Sequence, residues 1–189
     1  MKKDGSPSSD FRDLLGAIKA DPHYEDQIVH VEEKLVALAV DDTQVRLLMT
    51  MTGVDYFAAM LILAEMVTID RFTGEKGFCS WMGLALRVWQ SGEKAWIWGV
   101  GGLGNRRMRW LMVQCAHTAS RHDPRLRRLY ERHTRRKGGK SAVATVAHEM
   151  ARIIFFMLKR GEPYRGVSRG LWERKLKRME RNALSGLRN

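Results

Sequence analysis

The residues best suited to chemistry lie between Gln90 and Gln114. In this span Ser91 directly precedes Gly92. A serine hydroxyl presented on a sharp turn can act as a nucleophile when its surroundings activate it. An isolated Ser-Gly pair is more often an ordinary turn, so the pair alone leaves both interpretations open.

A glycine-rich loop and an arginine-rich helix start follow the serine. Glycines let backbone N–H groups approach an anion closely, and the N-terminus of a helix favours phosphate. The spacing therefore predicts a phosphate site beside the candidate nucleophile. Its members are the loop glycines Gly99, Gly101, Gly102 and Gly104, followed by Asn105, Arg106, Arg107 and Arg109 at the helix start.

Three of these glycines also spell G-x-G-x-x-G, a spacing known from dinucleotide-binding folds. Such a site needs a βαβ unit and an acidic residue at the end of the next strand. The next acidic residue here is Asp123, and Asp123 followed by Pro124 is typical of a helix start instead. The context does not favour a nucleotide cofactor.

The charge of the chain indicates a polyanionic partner. The 189 residues carry a formal net charge of +12, with a sequence pI near 10.2. Residues 1–80 hold 8 basic against 14 acidic residues, whereas residues 100–140 hold 12 against 2 and residues 165–189 hold 8 against 2. The basic second half predicts DNA or another nucleic acid as the partner.

A second arginine-rich helix is predicted between Asp123-Pro124 and Gly138-Gly139. Arginines on a helix usually form a solvated face, but here Glu131 is almost the only acid able to pair with them. We therefore predict that these cations contact phosphates. They are Arg125, Arg127, Arg128, Arg132, Arg135, Arg136 and Lys137.

Other kinds of site have little support. Cys79 and Cys115 provide neither a disulfide framework nor a metal motif, which fits a reducing cytoplasm, and the histidines match no zinc spacing. The start of the chain does not resemble a signal peptide. The longest apolar run, residues 58–64, is too short to cross a bilayer. We expect a cytoplasmic protein with no membrane partner and no bound metal.

The elements that must position these residues are predicted to be mainly α, arranged as a helical bundle. Apolar periodicity predicts helices over residues 45–49, 58–67, 72–84, 105–120, 124–137 and 141–160. Alternation near residues 84–98 predicts a short β-hairpin that turns at Ser91-Gly92. Thr52-Gly53-Val54-Asp55 predicts a helix-hairpin-helix-like element, which can hold a DNA phosphate or be an ordinary helical hairpin. Asp55 counts against direct phosphate contact.

An N-terminal helical arm is predicted to precede this bundle. Residues 1–9 are polar and are expected to be disordered, and residues 10–49 form the arm. Its apolar positions Ile28, Val31, Leu35 and Leu38 step as in a coiled-coil seam, which indicates a packing or dimerising segment and hence a homo-oligomer. The domain proper spans residues 50–164, and residues 165–189 form a basic amphipathic tail.

Several motifs in order resemble the C-terminal transposase domain of the insertion-sequence one-ten (IS one-ten) family, the serine-using, RNA-guided bridge recombinases. The resemblance covers about residues 50–164. It is carried by T-G-V-D, L-I-L-A-E-M, D-R-F, W-M-G-L, Q-S-G, G-N-R-R-M-R-W-L, R-H-D-P-R-L-R-R-L-Y-E-R and L-K-R-G-E-P-Y.

What the resemblance implies is DNA transposition. Ser91, in Q-S-G, matches the serine that attacks a DNA phosphodiester and forms a transient 5′-phosphoserine link. The family also implies a guide RNA, and Mg²⁺ held by four acidic residues of an N-terminal RuvC-like domain. Residues 1–49 are too short for that domain. We therefore expect a truncated or split transposase half, inactive alone and without a cofactor of its own.

The sequence departs from the family pattern in three places. Asp55 replaces the second turn glycine, Ala95-Trp96-Ile97-Trp98 replaces a basic, polar stretch, and Gly101-Gly102-Leu103 stands where a Lys or Arg precedes Gly-Asn. One alternative is a non-catalytic nucleic-acid-binding module that uses the basic helices, with Ser91 as a plain turn residue. Another is a dimerising interaction protein that acts through the coiled-coil seam.

Overall fold

The structure, a computed structural model, describes residues 36–91, 94–100, 104–166 and 169–186. It confirms the mainly α prediction. After a helical segment at residues 36–41, the elements are α1 (Thr43–Met49), α2 (Tyr56–Met66), a 3₁₀ helix (Ile69–Arg71), α3 (Glu75–Trp81), β1 (Leu86–Ser91), β2 (Lys94–Val100), α4 (Arg106–His122), α5 (Pro124–Lys137), α6 (Gly139–Arg160) and α7 (Arg169–Gly186).

Helix α6 forms the centre of the bundle. It contacts α1, α3, α4 and α5, and Val146, Met150 and Ile154 on its inner side are completely buried. By length and composition alone α6 could cross a membrane, but 56% of its most apolar window is buried inside the fold. Burial in the core accounts for this apolar composition.

The predicted helical hairpin joins α1 to α2. Asp55 caps α2, because its Oδ1 accepts a hydrogen bond from the Ala58 N–H at 2.9 Å. Gly53 has φ +88°, and a Cβ atom there would lie 2.4 Å from the carbonyl oxygen of Cys115. The turn therefore packs directly on α4, and this close approach requires glycine.

The helix predicted over residues 72–84 is wrong at both ends. The 3₁₀ helix ends before Phe72, and α3 covers only the middle of the predicted span. Gly83 adopts φ +69°, which ends the helical path, a conformational change that apolar periodicity does not reveal. Phe72 and Phe78 still meet in the core with ring centroids 5.1 Å apart.

The predicted β-hairpin is confirmed. Strands β1 and β2 pair antiparallel, with Trp89 opposite Trp96 and Ser91 opposite Lys94. They form the single sheet found among the described residues. Gly99 lies inside β2, and this part of the chain contains no βαβ unit, so the G-x-G-x-x-G spacing does not have the context of a dinucleotide site.

Most of the predicted N-terminal arm, including Ile28, Val31 and Leu35, lies outside the described residues. In the helical segment at residues 36–41, Val36 and Ala39 are buried in the core. Leu38, the last position of the predicted seam, is 68% exposed.

Helix α7 packs on the first part of the domain. Met179 is completely buried. The Lys175 ammonium donates hydrogen bonds to the carbonyl oxygens of Met49, Met51 and Val54 at 2.8, 2.6 and 2.7 Å. These carbonyls belong to the end of α1 and the hairpin turn, so one partly buried side chain connects the C-terminal helix to the N-terminal side of the fold.

Candidate nucleic-acid interface

Helix α5 is fixed at its N-terminus by a buried carboxylate. Asp123 is 2% exposed, and its Oδ1 accepts from the N–H groups of Arg125 and Leu126 at 2.8 and 3.1 Å. Pro124 occupies the first helical position, so the predicted helix start is confirmed. The Tyr164 hydroxyl donates to Asp123 Oδ2 at 2.8 Å. Burial and this hydrogen bond raise the pKa of Tyr164, which keeps the hydroxyl protonated as a donor.

One side of α5 packs on the bundle and the other faces solvent. Leu126 is buried, Leu129 and Tyr130 are partly buried against the core, and Glu131 is the one acidic residue of the helix. Spacings of three and four place Arg128, Arg132, Arg135 and Arg136 on a common side of the helix. Lys137 follows in the last turn, on another side. These five exposed cations, which extend over about 14 Å of helix, are here called the α5 cationic face.

The α5 cationic face has a single acidic neighbour on its own helix, Glu131, which lies among Arg128, Arg132, Arg135 and Arg136. None of its five members forms an ion pair with any residue that the structure describes. His133 lies within it, and burial, together with the charges of Arg132, Arg136 and Lys137, lowers the pKa of that imidazole. Burial is the largest cause, and the three cations act in the same direction because positive neighbours disfavour a further positive charge.

Two other exposed cations of α5 have partners within the protein. Arg125 forms an ion pair with Glu149 at 3.1 Å, and Arg152 binds the same carboxylate oxygen at 3.1 Å. Arg127 donates a hydrogen bond to the carbonyl oxygen of Arg121. Among the predicted DNA-binding residues of α5, Arg128 and Arg132 therefore lie on the α5 cationic face, whereas Arg125 is held beside α6.

The start of α4 is held by side chains of the protein itself. Asn105 caps the helix, since its Oδ1 accepts from the N–H groups of Arg107 and Met108 at 3.0 and 3.2 Å. Its Nδ2 donates to Glu65 at 2.9 Å, and Arg107 pairs with the other Glu65 oxygen at 3.1 Å. A phosphate bound to these amides would have to displace the Asn105 cap. Arg106 is exposed and Arg109 half-buried.

Gly104 provides close packing at this joint. Its φ is +98°, and a Cβ atom would lie 2.5 Å from both the Gly83 Cα and the Ser80 carbonyl oxygen. The next N–H, of Asn105, donates to the Trp81 carbonyl at 2.8 Å. The loop end is therefore pressed against α3. Gly101 and Gly102, predicted to bind phosphate with it, lie outside the described residues.

Ser91 is the last residue of β1. Since a strand advances about 3.3 Å per residue, its backbone lies about 17 Å along the hairpin from Leu86. Gly92 lies outside the described residues. Leu84 lies two positions before the hairpin. Its carbonyl oxygen accepts a hydrogen bond from Nδ1 of His148, on α6, at 2.9 Å. Sequence spacing gave no indication of this link, because the two residues are 64 positions apart.

The described residues do not fit a divalent metal. No group of three or more His, Cys, Asp or Glu side chains converges among them. The thiols of Cys79 and Cys115 are free and buried, and burial raises their pKa values to about 11 and about 12. Neither is a thiolate at neutral pH. The Mg²⁺ of the resembling family would need acidic ligands from elsewhere.

Comparisons with known proteins converge on one family. Residues 45–131 match the family model described as "Transposase IS116/IS110/IS902 family". The chain is 29% identical over 163 residues to the transposase for insertion sequence element IS1111A of Coxiella burnetii, a match that covers 82% of this chain and 42% of that protein. It is 26% identical over 146 residues to a "Probable family 20 transposase" of Pseudomonas aeruginosa, covering 75% and 43%.

A shorter match points the same way. The transposase for insertion sequence element IS1328 of Yersinia enterocolitica is 28% identical over 91 residues, which are 48% of this chain and 27% of that protein. The chain thus spans less than half the length of these three relatives. The matched residues 45–131 run from α1 through the hairpin and α4 into α5. Residues 45–131 are therefore similar to the transposase domain of the IS116/IS110/IS902 family.

Proposed function

We propose that this chain acts in insertion-sequence transposition by holding DNA on the α5 cationic face and presenting Ser91 to a phosphodiester. The observation that carries the proposal is the α5 cationic face itself: five cations on one exposed helix, without an ion-pair partner among the described residues. Such a surface binds phosphates by releasing the counterions condensed on DNA.

The dimensions suit a duplex. DNA carries about one negative charge per 1.7 Å of its axis, so a face about 14 Å long meets roughly eight phosphate charges. Five cations can engage several of these at once. Contacts of this kind fix the position of the duplex without reading its sequence.

The proposed chemistry is a direct displacement at phosphorus. The Ser91 Oγ attacks the phosphorus atom and forms an Oγ–P bond while the bond from phosphorus to the 3′ oxygen breaks. The serine proton passes through solvent to the departing oxygen, leaving a 3′-hydroxyl and a 5′-phosphoserine. Positioning and positive charge are the main requirements of phosphoryl transfer. Arg106 is better suited than Arg107 to supply that charge, because Glu65 neutralises Arg107.

A second candidate is a non-catalytic nucleic-acid-binding module. The α5 cationic face would serve that function equally well, and Ser91 would then be a turn residue at the end of β1. A guide RNA, a second copy of the chain and a cytoplasmic location are further predictions carried over from the sequence.

The two candidates are separated by trapping a covalent adduct. The chain is incubated with end-labelled DNA that carries a nick beside the target phosphate, alone and with a RuvC-like domain of the family supplied in trans. Denaturing electrophoresis should show a DNA-linked protein band that Ser91→Ala removes and the control Ser80→Ala, at an exposed serine of α3, retains. An adduct that survives Ser91→Ala contradicts the assignment. DNA binding without any adduct supports the non-catalytic module.

A further inference from the structure

A basic cleft lies between α5, α6 and the turn after α6. It is separate from the α5 cationic face. The cleft is open to solvent and has a volume of about 200 Å³. That is below the range of about 300–1,000 Å³ typical of larger small-molecule sites. Its rim carries four arginines, Arg125, Arg152, Arg160 and Arg165.

The charges on the rim are only partly balanced. Glu149 is shared by Arg125 and Arg152. Glu162 lies 3.9 Å from Arg165, with side chains that are 56% and 86% exposed, so this pair is weak. Two acids therefore face four cations, and an anion at the rim gains a favourable electrostatic interaction.

The floor of the cleft is apolar, and an arginine lies over one of its aromatic rings. Ile153, Phe156 and Met157 line it. The Arg160 guanidinium lies over the Phe156 ring, 5.1 Å from its centroid. Arg160 has no ion-pair partner in the described part of the chain. A planar guanidinium backed by an aromatic ring offers its other face to a further planar group.

We propose that this cleft binds one unpaired nucleotide, with its base stacked on the Arg160–Phe156 layer and its phosphate at the arginine rim. A base inside a duplex has both faces covered by its neighbours, whereas an unpaired base can stack on such a platform. This inference depends on the proposed function in one respect, that the ligand is a nucleic acid. Its residues differ from those of the α5 cationic face.

The test measures binding by fluorescence anisotropy with four probes: labelled dT10, labelled rU10, a labelled 20-base-pair duplex, and unlabelled thymidine monophosphate as competitor. Phe156→Leu and Arg160→Gln should weaken dT10 or rU10 binding about fivefold or more, and should change duplex binding less than twofold. Matched controls are Phe57→Leu, at an exposed phenylalanine of α2, and Arg178→Gln, at an exposed arginine of α7.

The outcomes separate this inference from the proposed function. The double variant Arg128→Gln, Arg132→Gln should weaken duplex binding. In that background, Arg160→Gln should still weaken the binding of dT10 or rU10 by the same factor as in the wild type. If dT10 binds more tightly than rU10, the nucleotide belongs to DNA, and if rU10 binds more tightly, it belongs to RNA. Effective competition by thymidine monophosphate would show that the cleft binds a free nucleotide. Each of these results would support binding at the cleft. If Phe156→Leu and Arg160→Gln behave like their controls with every probe, the inference is wrong. Arg160→Gln alters only an exposed side chain, so it remains informative if Phe156→Leu disturbs folding.

Discussion

At the scale of single residues, the charge on α5 differs from that of an ordinary surface helix because its cations lack acidic partners among the described residues. The i,i+4 pairs that usually stabilise such helices are missing, and burial with three neighbouring cations lowers the pKa of His133. This imidazole is therefore sensitive to a change in the charge around it. A phosphate bound nearby would reverse the effect of the arginines.

We predict that duplex DNA raises the pKa of His133 by about half a unit or more. Because the protonated form gains from the bound phosphates, DNA affinity should rise as the pH falls through the His133 titration. NMR titration of the His133 imidazole with and without duplex measures both pKa values, and His148, bonded to the Leu84 carbonyl, is the control. An unchanged His133 pKa in the DNA-bound protein would place the DNA elsewhere.

Lys175 illustrates a buried charge with a structural role. Its ammonium has three N–H donors and meets three carbonyl acceptors. Burial lowers its pKa to about 8, from an ordinary 10.5, while Asp55 acts in the opposite direction. At neutral pH the side chain is therefore still charged, and it donates to three carbonyl groups around the turn after α1, of which the Met51 carbonyl also accepts from the Val54 N–H at 3.2 Å.

Lys175→Met should lower the free energy of unfolding by about 2–3 kcal/mol at pH 7, because carbonyls lose their donor. Lys177→Met, at an exposed position two residues on, should change it little. Between pH 8 and 10.5 the folded chain binds fewer protons at Lys175 than the unfolded chain does. The stability of the wild type relative to Lys175→Met should therefore increase with pH in that window. Urea unfolding at pH 7 and 9.5 measures this, and a difference that shrinks at pH 9.5 contradicts it.

At the scale of elements, the joint between α3 and α4 determines where the hairpin returns to the bundle. Gly104 packs on the backbone at Gly83, and the Asn105 cap is held by Glu65. Gly104 and Asn105 lie between the end of β2 at Val100 and the start of α4 at Arg106. A shift at this joint would therefore move the root of the strand pair that carries Ser91.

We predict that Gly104→Ala destabilises the protein by about 2–4 kcal/mol, because its positive φ disfavours a side chain and the new Cβ meets main-chain atoms. Gly74→Ala is the matched control. Gly74 has φ −174°, and nothing lies within 4 Å of its added Cβ, so the change should stay within about 0.5 kcal/mol. Equal unfolding free energies for the two variants, measured by circular dichroism in urea, would contradict this packing role.

Local signals in the sequence were sufficient for several elements. Asp123-Pro124 and Gly138 define α5, and alternating residues near Trp89 and Trp96 predict the hairpin. The helix over residues 72–84 was predicted too long, because apolar periodicity does not show where a glycine takes a positive φ. The bonds from Glu65 to Asn105 and from Lys175 to the hairpin turn could not be predicted, since they join residues 40 to 126 positions apart.

At the scale of the whole molecule, the fold separates a stabilised core from a charged surface. Helix α6 and the helices around it bury the apolar residues, while α5 packs one side on the bundle and exposes its cations on the other. The candidate nucleophile lies on the hairpin, which is linked to α6 through the contact of His148 with Leu84. Of the residues predicted to form the anion site, Asn105 caps α4 and Gly104 packs on α3, whereas Gly101 and Gly102 lie outside the described residues.

The most direct test of the central proposal is the salt dependence of duplex binding, measured by fluorescence anisotropy. The wild type should bind random-sequence DNA with a log K against log salt slope of about −3 to −5, since each phosphate contact contributes about −0.9. The triple variant Arg128→Gln, Arg132→Gln, Arg135→Gln should reduce that slope by about 2 or more. The control Lys177→Gln, Arg178→Gln, Arg181→Gln removes the same charge from exposed positions of α7 and should reduce the slope by less than about 1. Equal slopes for the two variants, or no binding by the wild type at low salt, would contradict the assignment of DNA to the α5 cationic face.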